Sequence, residues 1–188
     1  MEFFADFKPM ALILHVISVV FGMGAALTSD LLFTFYSKDR KLSKSELFTL
    51  HVLSHVVWYS LVFVLLSGLL IFASDPAKYL ASHKFISKMI ILCVLCVNGF
   101  ILHRFVWPHL MSKSFFTAKN ESFTRKLAFA CGAISVMSWI AVCSLGVLDS
   151  VSWNYKEILS LYVGALMIVV PVALIIEDRE FERKIKTN

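Results

Sequence analysis

The chain has little of what a soluble domain is built from. Of its 188 residues only 16% are charged, whereas 59% are hydrophobic, and the mean hydropathy is +0.78. Soluble globular proteins contain about 45–50% apolar residues, so this excess is typical of a chain that crosses a membrane several times. No stretch shows the alternation of apolar and polar residues that marks a half-buried β-strand. The composition therefore predicts an all-helical membrane protein.

The chain also lacks the short motifs of common soluble enzymes. It has no glycine-rich phosphate loop, no G-x-S-x-G and no H-E-x-x-H, which argues against a soluble-type hydrolase and leaves open whether the chain is an enzyme. The first residues carry Glu2 and Asp6 and no basic run, which argues against a cleaved signal peptide. All four cysteines lie in apolar stretches, so we expect small packing residues and no disulfide framework: Cys93, Cys96, Cys131 and Cys143.

Five apolar stretches are long enough to span a bilayer, which takes roughly 20 residues. They cover about 10–36, 47–72, 85–107, 123–148 and 158–176. The connecting loops are short and polar, and short loops join antiparallel neighbours. Asp75-Pro76 and Trp107-Pro108 predict helix ends. We therefore predict an all-α integral membrane five-helix up-down bundle, with residues 1–188 forming a single transmembrane domain that ends in a short charged tail. The tail from Glu177 is expected to be a solvated cytoplasmic helix end with the i,i+4 pairs Glu180–Lys184 and Glu182–Lys186.

The basic residues predict how this bundle is oriented. Thirteen of the 18 Lys and Arg residues lie in or beside the loop after the first span, the loop after the third span and the C-terminal tail. These three parts of the chain are on the same side of an up-down bundle. The positive-inside rule then predicts an N-out, C-in protein of the bacterial inner (plasma) membrane. Because topology accounts for the basic excess, the bilayer is the expected partner and nucleic acid is not; the oligomeric state is left open.

Titratable residues inside these apolar stretches fall at two depths. In helix one, His15 and Asp30 are separated by a 15-residue step, which advances roughly 22 Å and returns to within about 60° of the same face. Lys88 and His103 repeat this spacing in helix three, and two further histidines enter helix two one turn apart. The predicted outer polar layer is His15 and Lys88, and the predicted inner layer is Asp30, His51, His55 and His103.

Ionisable groups within a membrane usually mark a cofactor, an ion or a proton path. The leading hypothesis is a cytochrome b-like redox or porphyrin-handling protein that binds b-type haem through His103 and either His55 or His51. Trp58 would pack on the porphyrin, Asp30 would orient a histidine, and a redox partner or a quinone would exchange electrons. One alternative is a zinc or iron ion held by His51, His55, His103 and Asp30.

Two further alternatives need no cofactor. In the first, the inner layer serves a proton or metal-ion transporter or channel component, because aspartate and histidine exchange protons readily. In the second, the polar residues only fix how the helices pack, and the protein is a structural or assembly subunit.

Several residues also carry a resemblance to known membrane proteins. The pattern is similar to that of a group of small uncharacterised bacterial polytopic membrane proteins over the first four helices: His15…Gly22-x-Gly24…Asp30, Leu53-Ser54…Trp58…Ser67-Gly68, Lys88…Asn98-Gly99…His103 and Ser138-Trp139. More remotely, His15 and Lys88 resemble positions of the four-helix bacterial protoporphyrinogen oxidase and copper-resistance inner-membrane family. That resemblance implies a helical bundle that handles a porphyrin or a metal.

Overall fold

The computed structural model describes residues 2–37, 42–110, 115, 122–148 and 152–185, with side chains from Phe7 to Arg179. Within these ranges the regular structure is entirely helical. The elements are α1 (Glu2–Tyr36), α2 (Lys44–Ser74), α3 (Pro76–Leu80), α4 (His83–Ile101), a π-helical segment (Leu102–Val106), α5 (Trp107–Leu110), α6 (Ser122–Val147) and α7 (Tyr155–Ile185). The predicted all-α fold is confirmed for the described residues.

Five of these helices are long and apolar enough to cross a membrane, as predicted. The spans are Phe7–Tyr36, Lys44–Ser74, His83–Leu110, Ser122–Val147 and Tyr155–Arg179, and they indicate a multi-pass membrane protein. Many large apolar side chains on them are exposed, including Met10, Leu31 and Met167 at 70–73%. In a bilayer these side chains face lipid, so their exposure is favourable there.

The helices pack most extensively in two groups, α1 with α2, and α6 with both α4 and α7. A cluster of buried residues joins the two groups at mid-height: Ala26, Leu61, Leu92, Leu95 and Trp139. Gly22 makes this junction possible, because a Cβ at that position would lie 2.6 Å from Trp139 Cη2 and 2.9 Å from Ser60 Cβ. A small residue here lets α1 approach α2 and α6 closely.

Local sequence signals explain where the helices begin and end. Ser43 and Glu46 form a capping box, in which the Glu46 amide donates to Ser43 Oγ and the Ser43 amide donates to Glu46 Oε2. Asp75 ends α2 and caps α3, which begins at Pro76, so the predicted end at Asp75-Pro76 is confirmed. These signals define the first and last residues of α2. The loop residues 38–41 lie outside the described part of the chain.

The predicted helix end at Trp107-Pro108 is wrong. The chain stays helical to Leu110, but it changes to π geometry over Leu102–Val106, where the Trp107 amide donates to the carbonyl five residues back at Leu102. Pro108 has no N–H, and its ring would clash with the Arg104 carbonyl in a regular α-helix. The π segment moves this carbonyl out of the regular ladder and lets the helix continue.

The start of the charged C-terminal tail is also buried, contrary to the expectation that it is solvated. Glu177 Oε1 accepts a 3.0 Å hydrogen bond from Arg125 Nε, and the two side chains are only 4% and 3% exposed. Arg125 Nη1 also donates to the Phe115 carbonyl at 3.0 Å. These contacts tie the end of α7 to the start of α6 and to the segment before it. The predicted pairs Glu180–Lys184 and Glu182–Lys186 involve side chains outside the described part.

Candidate functional site

Asp30 is the centre of the candidate site. It lies near the C-terminal end of α1, and its carboxyl packs against α6, where a Cβ on Gly132 would lie 3.2 Å from Asp30 Oδ1. Its other oxygen, Oδ2, is buried and has no hydrogen-bond partner among the residues that the structure describes. A buried charged group without a partner is costly. This carboxyl is therefore a place where a proton or a cation would be bound.

His103 reaches the same place from the π-helical segment. Two small cavities, of about 60 and 80 Å³, lie between α1, α2, the π segment and α6, and both Asp30 and His103 line them. The His103 side chain is otherwise exposed at the surface of the bundle. It therefore connects the buried carboxyl to the surface of the protein.

The polar groups that share these cavities with Asp30 and His103 are small hydroxyls and one amide. Ser29 and Ser54 line both spaces, and Asn98 and Ser135 line the larger one. Asn98 is buried and donates from Nδ2 to the Cys131 carbonyl at 2.9 Å. A water molecule needs roughly 10–15 Å³ of such space, so each cavity has room for a few waters or one small hydrated cation.

The two histidines of α2 lie beside this site and do not line its cavities. The His51 ring packs on the Trp107 ring, with centroids 5.1 Å apart, and Trp107 lines the smaller cavity. His55 is exposed, and its Nδ1 lies 2.9 Å from the His51 carbonyl oxygen, to which only a protonated Nδ1 can donate. The structure thus brings Asp30 and His103 together and leaves His51 and His55 on the α2 surface.

Trp58 lies in the interior at the larger cavity. Its ring packs over Gly99 of α4, where a Cβ would be 3.6 Å from Trp58 Cζ2. It also contacts the buried cluster that joins the two groups of helices. The ring therefore has a protein partner in the position where the sequence predicted either an interior partner or a porphyrin.

Within the described residues, no group of three or more His, Cys, Asp or Glu side chains lies close enough to hold a metal ion. The four cysteines are free thiols. The spaces beside Asp30 are also well below the roughly 300–1,000 Å³ of typical small-molecule pockets. A porphyrin does not fit between Asp30 and His103 in this arrangement.

The predicted outer layer lies at the other end of α1. His15 and Lys88 line a third cavity of about 510 Å³ between α1, α2, α3 and α4. His15 Nδ1 is 3.0 Å from Ser67 Oγ, and the imidazole ring lies over Gly68. We call this space the His15–Lys88 cavity.

Sequence reasoning missed three features of the site. These are the hydroxyls of Ser29 and Ser54, the close approach of Gly132 to the Asp30 carboxyl, and the π segment that carries His103. Pro108 was a signal for the last, because an internal proline disturbs the hydrogen bonds of the preceding turn. The other two depend on the rotation of each helix about its axis, for which the sequence holds no comparable signal.

No protein-family model, no curated protein and no solved structure matches the chain.

Proposed function

We propose that this protein moves protons or a small cation into or across the membrane through Asp30. The single observation that carries the proposal is the buried Asp30 carboxyl, whose Oδ2 has no hydrogen-bond partner among the described residues. Within a membrane span such a group has to be protonated or paired with a cation. A group whose state depends on binding H⁺ or M⁺ is what a carrier or a channel needs.

The surroundings of Asp30 favour exchange over a fixed structural contact. The two cavities beside Asp30 have room for a few waters each, and serine hydroxyls are among their lining groups. They therefore suit a short chain of hydrogen-bonded waters. His103 stands at the exposed edge of the same cavities, and its imidazole can both donate and accept a hydrogen bond. We infer that protons or the cation pass between His103 and Asp30.

The direction of this exchange follows from the proposed topology. We propose an N-out, C-in protein of the bacterial inner membrane, because the basic residues are concentrated at the chain segments on the Asp30 side. His103 would then open toward the cytoplasm.

The test is flux in proteoliposomes that contain a pH-sensitive dye, with an imposed membrane potential. Wild-type protein should carry H⁺ or a monovalent cation faster than empty liposomes, and Asp30→Asn, which has the same shape but cannot be charged, should abolish the difference. Gly132→Ala should slow flux without removing the carboxyl, because the added methyl would lie 3.2 Å from Asp30 Oδ1. Asp178→Asn is the matched control, since Asp178 is an exposed carboxylate paired with Lys126.

Two results would overturn this proposal. One is a wild-type flux no greater than that of empty liposomes, and the other is an equal flux in Asp30→Asn. Infrared difference spectra provide an independent readout, because a carboxyl that takes up a proton shows a C=O stretch that Asp30→Asn lacks. Folded protein that shows neither flux nor this band would favour the structural or assembly role.

Haem binding is the second candidate, and one observation favours it. The bond from His55 Nδ1 to the His51 carbonyl fixes the tautomer and leaves Nε2 as a free ligand atom, which is how metal-binding histidines are commonly oriented. His55 is exposed, so the haem would lie on the α2 surface. Oxidised and dithionite-reduced absorption spectra of protein expressed with ample haem test this candidate. A Soret band that His55→Ala removes would support it, and a featureless spectrum would eliminate it.

A further inference from the structure

The His15–Lys88 cavity is much larger than the spaces around Asp30. Its volume of about 510 Å³ lies within the range of sites for small molecules, and most of its lining is aliphatic or aromatic. It lies at the opposite end of α1, so it is separate from the proposed ion path. An apolar cavity of this size inside a membrane protein suits a lipid-like molecule.

The polar lining of the cavity can recognise an acid. Lys88 is half-buried, and an ammonium has three donors and no acceptor. None of the described lining residues is Asp or Glu, so the lining offers no anion to this cation. A cation taken out of water is stabilised by a partner of opposite charge. An anionic ligand in the cavity would supply such a partner.

His15 adds a second contact of defined polarity. Ser67 Oγ lies 2.5 Å from the Phe63 carbonyl oxygen, so the hydroxyl proton is donated there. Ser67 Oγ then accepts from His15, and Nδ1, 3.0 Å away, carries the proton. Nε2 is left for a ligand; it accepts from a protonated acid when the ring is neutral and donates to a carboxylate when the ring is charged.

The mouth of the cavity opens sideways, toward lipid. Four of its apolar lining residues that belong to membrane spans are 39–63% exposed: Leu12, Leu65, Leu69 and Met89. These side chains lie on the faces that contact acyl chains in a bilayer. A ligand would therefore enter from the membrane, with its chain along this apolar wall and its head at Lys88.

We propose that the His15–Lys88 cavity binds a single-chain amphiphile with a carboxylate head, such as a long-chain fatty acid. Lys88 Nζ pairs with the carboxylate, His15 Nε2 forms the second polar contact, and the chain occupies the apolar remainder. A space of about 510 Å³ suits one acyl chain beside the head group, and the two chains of a phospholipid would not both fit within it. Phosphatidylglycerol shares the negative charge of the fatty acid and is therefore included as a competitor.

Binding of radiolabelled palmitate to the full-length protein in detergent micelles tests the proposal. We expect saturable binding of one palmitate per chain and at least a tenfold loss of affinity in Lys88→Met, because a charge-assisted hydrogen bond is lost. Lys88→Arg should restore most of the affinity. Lys84→Met is the matched control, since Lys84 lies one turn earlier, donates to the Leu148 carbonyl and does not line the cavity.

Two competitors separate the head from the chain. Unlabelled palmitate should displace the label, whereas hexadecanol, which has the same chain without the charge, and phosphatidylglycerol should not do so at equal concentration. Leu69→Trp places a bulky side chain at the mouth of the cavity while keeping Lys88, and it should weaken binding. Equal affinity in Lys88→Met and wild type, displacement by hexadecanol, displacement by phosphatidylglycerol, or full binding in Leu69→Trp would each overturn the proposal.

Discussion

Loss of the carboxylate at Glu177 should destabilise the protein strongly, although the residue stands at the start of a charged tail. Glu177 Oε1 is 3.0 Å from Arg125 Nε, and both side chains are almost completely buried. Glu177→Gln keeps the size of the side chain but removes the negative charge that lies against the buried Arg125 guanidinium. Removal of one partner of a buried pair typically costs about 3–5 kcal/mol, which is a large part of the stability of a small domain.

The chain supplies a matched control one residue along on each helix. Lys126 Nζ and Asp178 Oδ1 are 2.9 Å apart, so the contact is as short, but the two side chains are 42% and 55% exposed. Exposed ion pairs contribute about 0.2–1 kcal/mol, because water already stabilises both charges. Asp178→Asn should therefore lower the free energy of unfolding by less than about 1 kcal/mol.

The assay is reversible unfolding by sodium dodecyl sulfate in mixed micelles, followed by loss of helical circular dichroism. The reasoning requires the effect of Glu177→Gln to exceed that of Asp178→Asn by about 2 kcal/mol or more. Equal effects of the two variants would refute it. Arg125→Met combined with Glu177→Leu should recover most of the loss, apart from roughly 1 kcal/mol for the hydrogen bond from Arg125 to the Phe115 carbonyl.

Two further substitutions test how the helices pack, with the same unfolding assay. Gly22→Ala should destabilise the protein by about 1–3 kcal/mol, because the added Cβ would lie 2.6 Å from Trp139 Cη2. Gly24→Ala is the control: a Cβ there has nothing within 4 Å, so this variant should be neutral or more stable by up to about 1 kcal/mol. Equal effects of the two variants would contradict the close packing of Gly22 against Trp139. Asn98→Leu should cost about 1 kcal/mol, because Asn98 Nδ2 donates to the Cys131 carbonyl from a buried position. A cost no larger than that of Val97→Ala, at a neighbouring position that is 58% exposed, would show that this hydrogen bond is not stabilising.

The spans were predictable from sequence because each depends on a local quantity. A run of about 20 apolar residues and a helix stop such as Asp75-Pro76 act within one segment, and all five spans have the predicted identity. Which polar residues lie at similar positions along neighbouring helices was predictable for the same reason, since the position along a helix axis follows from the rise per residue. His15 and Lys88 line one cavity, and Asp30 and His103 share two others.

The rotation of each helix was not predictable, because it depends on contacts between segments. His51 and His55 have the depth of Asp30, but their rings lie on the α2 surface beside Trp107 and Tyr59. The face that α2 turns to α1 is set by the fit of Gly22 against Ser60 and Trp139. That fit involves three helices at once, and no periodicity within a single helix reports it.

The burial of Glu177 has a similar origin. A glutamate followed by alternating charges has the pattern of a solvated helix end, and Asp178 and Arg179, the next residues, are indeed exposed. Glu177 differs because α7 brings it opposite Arg125 of α6, and each charge supplies the counterion that makes burial of the other tolerable. Neither residue alone signals the pair, and they are 52 positions apart in the chain.

The π segment is where the sequence, the packing and the proposed site meet. Pro108 prevents a regular α-helical bond to Arg104, and the chain responds by inserting one extra residue in the turn before it. This insertion changes the rotation of the residues before the segment relative to those after it. Val106 and Leu110 can then pack against Phe115 and Ala128 while His103 lines the cavities of Asp30. Positions three and seven residues apart share a face in a regular helix as well, so the π segment accommodates Pro108 while His103, Val106 and Leu110 all line the smaller cavity beside the buried carboxyl.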